Sequence, residues 1–215
     1  VDHIQIAARR VGPQHPCFVI AEAGVNHNGD VDLAKRLIDV AVDAGADAVK
    51  FQTFRAERVV GAEAPKANYQ LQTTEAQESQ LEMVRRLELS PGAHRELHKY
   101  CQDQDILFMS TPFDRHSVDL LDQLGVPAFK VGSGEITNWP LLQHIAQKRR
   151  PIIMSTGMSY LSEVGEALRV IGEAGNDQLV LLHCVSEYPA DPADANLRAM
   201  ATMERAFRVP VGFSD

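Results

Sequence analysis

Seven short apolar runs, rich in β-branched residues, each end in a cluster of chemically capable polar side chains. That repeat constrains this chain more than any single motif. The runs close as AEAG-VNHNG, with Glu22, Asn26 and His27; as VKFQT, with Lys50 and Gln52; and as MSTPFD, with Thr111. Then follow FKVGSGE, with Lys130, Ser133 and Glu135; MSTG, with Ser155; HCVSEYP, with Ser186 and Tyr188; and GFSD, with Ser214 and Asp215. Strands covered by helices on both faces read as nearly continuous apolar runs. Set in parallel around one axis, such strands deliver their C-terminal ends to one rim, where β/α barrels carry their active sites.

The runs begin near Phe18, Asp47, Ile106, Pro127, Pro151, Leu179 and Pro210, and most starts lie 21 to 31 residues apart. That spacing holds one strand, one helix and two short loops. The intervening segments carry helical periodicity. Val31–Ala44 sets Leu33, Leu37, Val40 and Ala44 on one face with Gly45 as a stop, and Leu161–Ala174 does the same with Val164, Leu168 and Ile171. The expected class is therefore α/β: a TIM (β/α)8-type barrel truncated after the seventh strand. Residues 1–17 would be an N-terminal extension and 18–215 an incomplete barrel. An open seven-strand sheet exposes two edges, so instability or association is expected. One interval is longer, at 59 residues between the second and third starts. It holds a polar excursion, Arg55–Gln77, with Asn68 and Tyr69, then a helix over Glu78–Glu88 and a second one opened by Ser90 as N-cap and Pro91 at N1. The excursion reads as a substrate lid or as a solvated insertion.

Composition narrows the partners. With 45% apolar and 23% charged residues, the chain has ordinary globular content. A formal net charge of −8 with no Lys/Arg cluster argues against nucleic acid. It still permits a small anion, because a few cleft lysines dominate the local field. No apolar stretch approaches a membrane span, and VDHIQIAARRVGPQHP lacks a signal-peptide core. Cys17, Cys101 and Cys184 fit neither a disulfide framework nor a metal knuckle, which points to a reduced, cytoplasmic setting.

Lys50 and Lys130 each interrupt an apolar strand, where an uncompensated ammonium is costly to bury. A lysine snorkelling to solvent is the plain alternative, but a covered parallel strand offers it little escape. Two such lysines suit a polyanion, most simply a phosphate plus a carboxylate; a Schiff-base role stays open for either. Ser133 between two glycines, with Thr111, Ser155 and Ser214 at other strand ends, adds donors to an anion cradle. Each alone reads as a turn or cap residue. Glu22 and Glu135 offer general acid–base chemistry, or ion pairs to the lysines, or both. His27 and His183 share no metal spacing. His94 and His98 lack the glutamate of HExxH and are expected as an exposed helical pair. No metal ligand is assigned, and Cys184 is taken as a small buried apolar residue.

IAEAGVNHNGD, DAVKFQT, ESQLEMVRRLELS, STPFD, FKVGSGEITNWPLL, STGMS, LHCVSEYPA and VGFSD, in that order, resemble the sialic acid synthase family. Its members are the N-acetylneuraminate synthases and their legionaminate, pseudaminate and spore-coat relatives. The resemblance implies condensation of phosphoenolpyruvate with an N-acyl amino sugar, N-acetylmannosamine or an analogue, to a nine-carbon 2-keto acid and phosphate. In that chemistry C3 of the enol attacks the open-chain aldehyde, water adds at C2, and phosphate leaves by C–O cleavage. Carried over by position, Lys50, Thr111, Lys130, Ser133, Ser155 and Ser214 would contact phosphoenolpyruvate. Ser186 joins them as a departure, since some members carry Asn there. Glu135 would stand near the reacting carbons, and Glu22, Gln52 and Tyr188 nearer the sugar and metal. The family uses a divalent cation, Mn2+ or Mg2+, held by two histidines beyond the FSD motif, so its ligands are expected to be absent from this chain. The family's eighth βα unit and C-terminal antifreeze-like domain, which completes the active site of a homodimer partner, are expected to be absent too. The chain alone is accordingly expected to turn over poorly. Two rivals are a synthase using a phosphorylated sugar acceptor, and a non-catalytic anion-binding fragment.

Overall fold

A computed structural model of the 215-residue chain describes residues 3–61, 64, 78–187 and 189–215. It divides into two compact units, Val19–Leu124 and the combination of Val1–Phe18 with Gly125–Asp215. All seven apolar runs named above form strands, and those of them that pair with one another run parallel.

The chain opens with a hairpin that the periodicity did not reveal. Strands β1 (Ile4–Ile6) and β2 (Arg9–Val11) pair antiparallel, and Ile4 and Ile6 are buried. Three-residue strands are too short for an alternating pattern to stand out.

The unit Val19–Leu124 holds a three-stranded parallel sheet of β3 (Ile20–Gly24), β4 (Ala48–Thr53) and β5 (Leu107–Pro112), in that order. Register sets Glu22 opposite Lys50, and Gln52 opposite Thr111. Paired residues of parallel strands share a face and residues two apart stay on it, so these four side chains stand together. The other face carries Phe51 stacked on Phe108, with ring centroids 5.6 Å apart. Helices α1 (Val31–Asp43), α2 (Ala56–Val59), α3 (Gln80–Arg86), α4 (Pro91–Asp103) and α5 (Arg115–Leu124) complete the unit. The helix expected over Glu78–Glu88 is shorter at both ends, because Ser79 and Glu82 form a capping box at its start and Leu87 closes it. Ser90 caps α4 with Pro91 in its first turn, as expected. Of the polar excursion, residues 62–63 and 65–77, including Asn68 and Tyr69, lie outside the described residues.

The expected inner face of α1 is displaced by one position. Ala34, Ile38 and Ala41 are buried, whereas Val40 is 65% exposed. Alanines let a helix approach its neighbours more closely than the bulkier Leu33 and Leu37, which flank the contact half-buried.

The second unit carries the parallel sheet β6 (Phe129–Val131), β7 (Ile152–Ser155), β8 (Leu179–Cys184) and β9 (Val211–Ser214). Lys130 pairs with Ile153, Ser155 with Leu182, and Cys184 with Ser214, so Lys130, Ser155, Cys184 and Ser214 share one face. Helices α6 (Trp139–Ala146), α7 (Leu161–Glu173) and α8 (Arg198–Phe207) connect these strands. On α7 the buried residues are Val164, Ala167 and Ile171; Leu168 is only half-buried, the same preference for alanine at the contact.

The NHNGD segment proves to be a helix start as well as a strand end. Asn28 and Gly29 take positive φ (51° and 80°), and Asp30 then caps α1 by accepting from the Asp32 and Leu33 amides at 2.8 and 3.0 Å. Gly29 has no room for a side chain: a methyl group there would run into the Arg86 carbonyl. Gly29→Ala is therefore expected to cost more than the roughly 1 kcal/mol of an unfavourable φ alone. A lower urea midpoint at unchanged slope checks this; an unchanged midpoint contradicts the close approach.

Candidate active site

Both strand lysines are buried, at 9% (Lys50) and 6% (Lys130) relative exposure, and neither snorkels to water. Each is anchored where the strand needs it. In the Val19–Leu124 unit, Lys50 Nζ donates to Glu22 Oε2 in a short ion pair across β3 and β4. Half of the Glu22 side chain stays exposed, so its carboxylate faces the lysine on one side and solvent on the other. Gly24, at φ 53°, makes that possible: a methyl group there would sit 3.1 Å from Glu22 Oε1 and 3.9 Å from Gln52 Nε2. Glu22, Lys50 and Gln52 thus form one cluster, with Thr111, 4% exposed, on the paired strand.

In the second unit, Lys130 Nζ donates to Ser155 Oγ at 2.7 Å and to the Val131 carbonyl at 3.0 Å. The GSGE segment after β6 winds into a 3-10 turn, Ser133–Glu135. Ser133 Oγ accepts from the Gly157 amide at 2.9 Å and lies 3.2 Å from Cys184 Sγ. Gly157 is hemmed in, since a methyl group would stand 3.0 Å from both Cys184 Sγ and Ser133 Oγ and collide with Ser186 Oγ. Glu135 is half-buried and accepts from Asn138 Nδ2 at 2.6 Å, while Asn138 Oδ1 caps α6 at the Leu141 amide. That bridge orients a carboxylate carried on a turn. Ser214 closes β9 beside Cys184, and Tyr188 lies outside the described residues. A cavity of about 670 Å³ opens beside this group, with Gly157, Tyr160, His183, Cys184, Arg198 and Met203 in its wall.

Two expectations need correction. Cys184 is half-exposed rather than a buried apolar filler, and its sulfur touches a hydroxyl. His94 is 1% exposed, not part of an exposed pair, and His98 is half-buried, edge-on to Phe108 at 5.7 Å. Four-residue spacing put both histidines on one helix face, but α4 turns that face toward β4 and β5. His94 Nδ1 donates to the Ser90 carbonyl at 2.9 Å, so in the neutral ring Nε2 accepts from Thr53 Oγ1 at 2.8 Å. Thr53 in turn accepts from Ser110 Oγ at 2.7 Å. The relay ties the strand positions next to Gln52 and Thr111 to the start of α4. A short hydroxyl at the end of a strand was the sole hint of it in the sequence. Among the described residues no three His, Cys, Asp or Glu side chains converge as a metal site. His27, fully buried, accepts the Gly29 amide at Nδ1 and leaves Nε2 without a protein partner, but a single imidazole does not make a divalent-cation site. The described residues do not by themselves fit such an ion.

The fold is α/β, and in each unit a buried strand lysine stands beside strand-end hydroxyls. The chain belongs to the NeuB family, whose model matches residues 37–215. It is 53% identical over 200 residues to the N,N'-diacetyllegionaminic acid synthase of Campylobacter jejuni, covering 92% of this chain and 60% of that protein. It is 50% identical over 208 residues to the enzyme of the same name from Legionella pneumophila, covering 95% and 58%. The crystal structure of N-acetylneuraminic acid (sialic acid) synthetase from Leptospira borgpetersenii, in complex with citrate, superposes with a TM-score of 0.88 at 35% identity, over 99% of this chain and 70% of that one. The chain thus spans about 60% of the length of the curated relatives it matches.

Burial holds the His27 and His94 imidazoles below the ordinary histidine range; at His27 the nearby His94 adds to the effect. Their folded-state values lie under the unfolded value of about 6.5, so the unfolded chain takes up protons first as pH falls. The stability they contribute is whole above about pH 6.5 and is lost as pH drops through the depressed folded values. Urea midpoints are expected to fall between pH 7 and 5, and His94→Gln should flatten that fall. An identical pH profile in the variant would contradict the assignment.

Proposed function

We propose that this chain forms the catalytic core of a phosphoenolpyruvate-dependent synthase that joins the enol to an N-acyl amino sugar, giving a nonulosonic acid and phosphate. The seven parallel strands would be the first seven of a (β/α)8-type barrel. The observation that carries this reading is the pair of buried strand lysines, each braced within its own sheet and each accompanied by strand-end hydroxyls. Ammonium and hydroxyl donors fixed in place before the ligand arrives stabilise phosphate and carboxylate without reorganisation, and this is how electrostatic catalysis works.

Lys50, Thr111, Lys130, Ser133, Ser155, Ser186 and Ser214 are proposed as the phosphoenolpyruvate contacts. Fixing the phosphate and carboxylate leaves C3 free to attack an aldehyde carbon, whose oxygen takes a proton as the C–C bond forms. The cation that develops at C2 is quenched by water; the C2 hydroxyl so formed passes its proton to phosphate as the C2–O bond to phosphate breaks and C2 becomes a carbonyl, and the water's other proton must be taken up. Glu135, held by Asn138, is the candidate to receive that proton. Glu22, solvent-facing and paired to Lys50, is the candidate to manage the aldehyde oxygen, with Gln52 and Tyr188 toward the sugar. The relatives' names favour a di-N-acetylated acceptor over N-acetylmannosamine. A homodimer and a cytoplasmic setting are part of the same proposal, as is a divalent cation whose ligands would have to come from outside the described residues. They rest on family membership, on three cysteines that are all free, and on the absence, among the described residues, of any helix long and apolar enough to cross a membrane.

Calorimetric titration of the chain with phosphoenolpyruvate tests the reading. Binding is expected, weakened at least tenfold (about 1.4 kcal/mol) in Lys130→Met and in Lys50→Met. No binding, or equal binding by the variants, contradicts it. Phosphate release with unphosphorylated N-acyl sugars, set against phosphorylated sugars, separates this acceptor class from its rival.

A further inference from the structure

The hydroxyl of Ser133 is surrounded on the protein side in a way that decides where its proton points. An alcohol oxygen has one donor proton and two acceptor lone pairs. One lone pair of Ser133 is taken by the Gly157 amide at 2.9 Å, and Cys184 Sγ stands 3.2 Å away. If the thiol donates, both lone pairs are filled and the Ser133 proton is left to face outward. If the serine donates to sulfur, the hydroxyl is turned away from any anion. We propose that Cys184 is a positioning residue: its S–H donates to Ser133 when an anion binds and makes Ser133 a donor of one fixed direction. This rests on Ser133 being an anion contact.

Three features support the arrangement. Cys184 lies on the same sheet face as Lys130 and Ser155, so the thiol is aimed at the polar cluster and not at the hydrophobic layer. Gly157 admits no side chain: a methyl group there would press on Ser133 Oγ, Cys184 Sγ and Ser186 Oγ, so the glycine leaves the space in which its amide reaches Ser133 and Ser133 meets Cys184. Cys184 is only partly buried and its sulfur lies against a hydroxyl, so apolar filling alone does not account for its place.

The test is a double-mutant cycle read as the dissociation constant for phosphoenolpyruvate by calorimetry, with thermal unfolding recorded for each protein. Ser133→Ala is expected to weaken binding about tenfold and Cys184→Ala about three- to tenfold, since a lost neutral hydrogen bond is modest. Cys184→Ser, which restores an O–H donor, should return binding to within about threefold of the original. Ser133→Ala with Cys184→Ala should be no weaker than Ser133→Ala alone by more than about twofold, because the thiol acts only through that hydroxyl. Should Cys184→Ala lower the melting temperature, Cys184→Val fills the space without a donor and carries the same comparison. Additive losses, or a Ser variant as weak as Ala, overturn the proposal. A wild-type chain that binds no phosphoenolpyruvate, or a harmless Ser133→Ala, defeats the reading of the site itself and this inference with it. A wild type that binds while Cys184→Ala binds equally defeats the inference alone.

Discussion

Everything at the candidate site depends on keeping an ammonium inside a parallel strand. Moving a bare lysine from water into a protein interior costs several kcal/mol, so such a residue persists only where the fold supplies partners. The two lysines are served differently. Lys50 takes a carboxylate from the adjacent strand, Glu22, through register alone. Lys130 takes a hydroxyl from the adjacent strand, Ser155, and the carbonyl of its own neighbour. In both cases the side-chain partner is one strand away, so parallel pairing itself supplies what makes the lysine tolerable.

Around each anchor the backbone is shaped by residues with no chemistry of their own. Gly24 leaves space for Glu22 and Gln52, Gly157 lets three polar side chains close around one amide, and Gly29 admits the Arg86 carbonyl under the NHNG turn. Motifs that look catalytic therefore do two jobs. AEAGVNHNGD carries Glu22 on a strand and starts a helix at Asp30, and GSGE offers Ser133 while turning the chain so that Asn138 can hold Glu135.

The architecture was legible because it is written in period and length. Seven apolar runs mark seven strands, and the Ser90–Pro91 pair marks the start of α4. The lysines were legible because a charge inside such a run has few structural explanations. Side-chain direction was harder to read. The periodicity of α1 picked out Leu33 and Val40, where the contact falls on Ala34, Ile38 and Ala41, because closeness of approach favours small residues over hydrophobic ones. His94 looked exposed because a helix of mixed polarity hides which arc faces the sheet. Its partner Thr53 lies 41 positions away along the chain, and Ser110, which bonds Thr53, lies 57 positions from Thr53 and meets it only through strand pairing. Cys184 looked like filler because its role depends on a hydroxyl 51 residues away.

The most direct test of the central claim is a crystal structure of this chain grown with phosphoenolpyruvate. The account predicts the bound anion within hydrogen-bonding distance of Lys130 Nζ and Ser133 Oγ, with Gly157 still donating to Ser133. Phosphoenolpyruvate bound away from both, with Lys130 still enclosed by Ser155 and the Val131 carbonyl, would show that the strand lysines serve the fold and not the reaction.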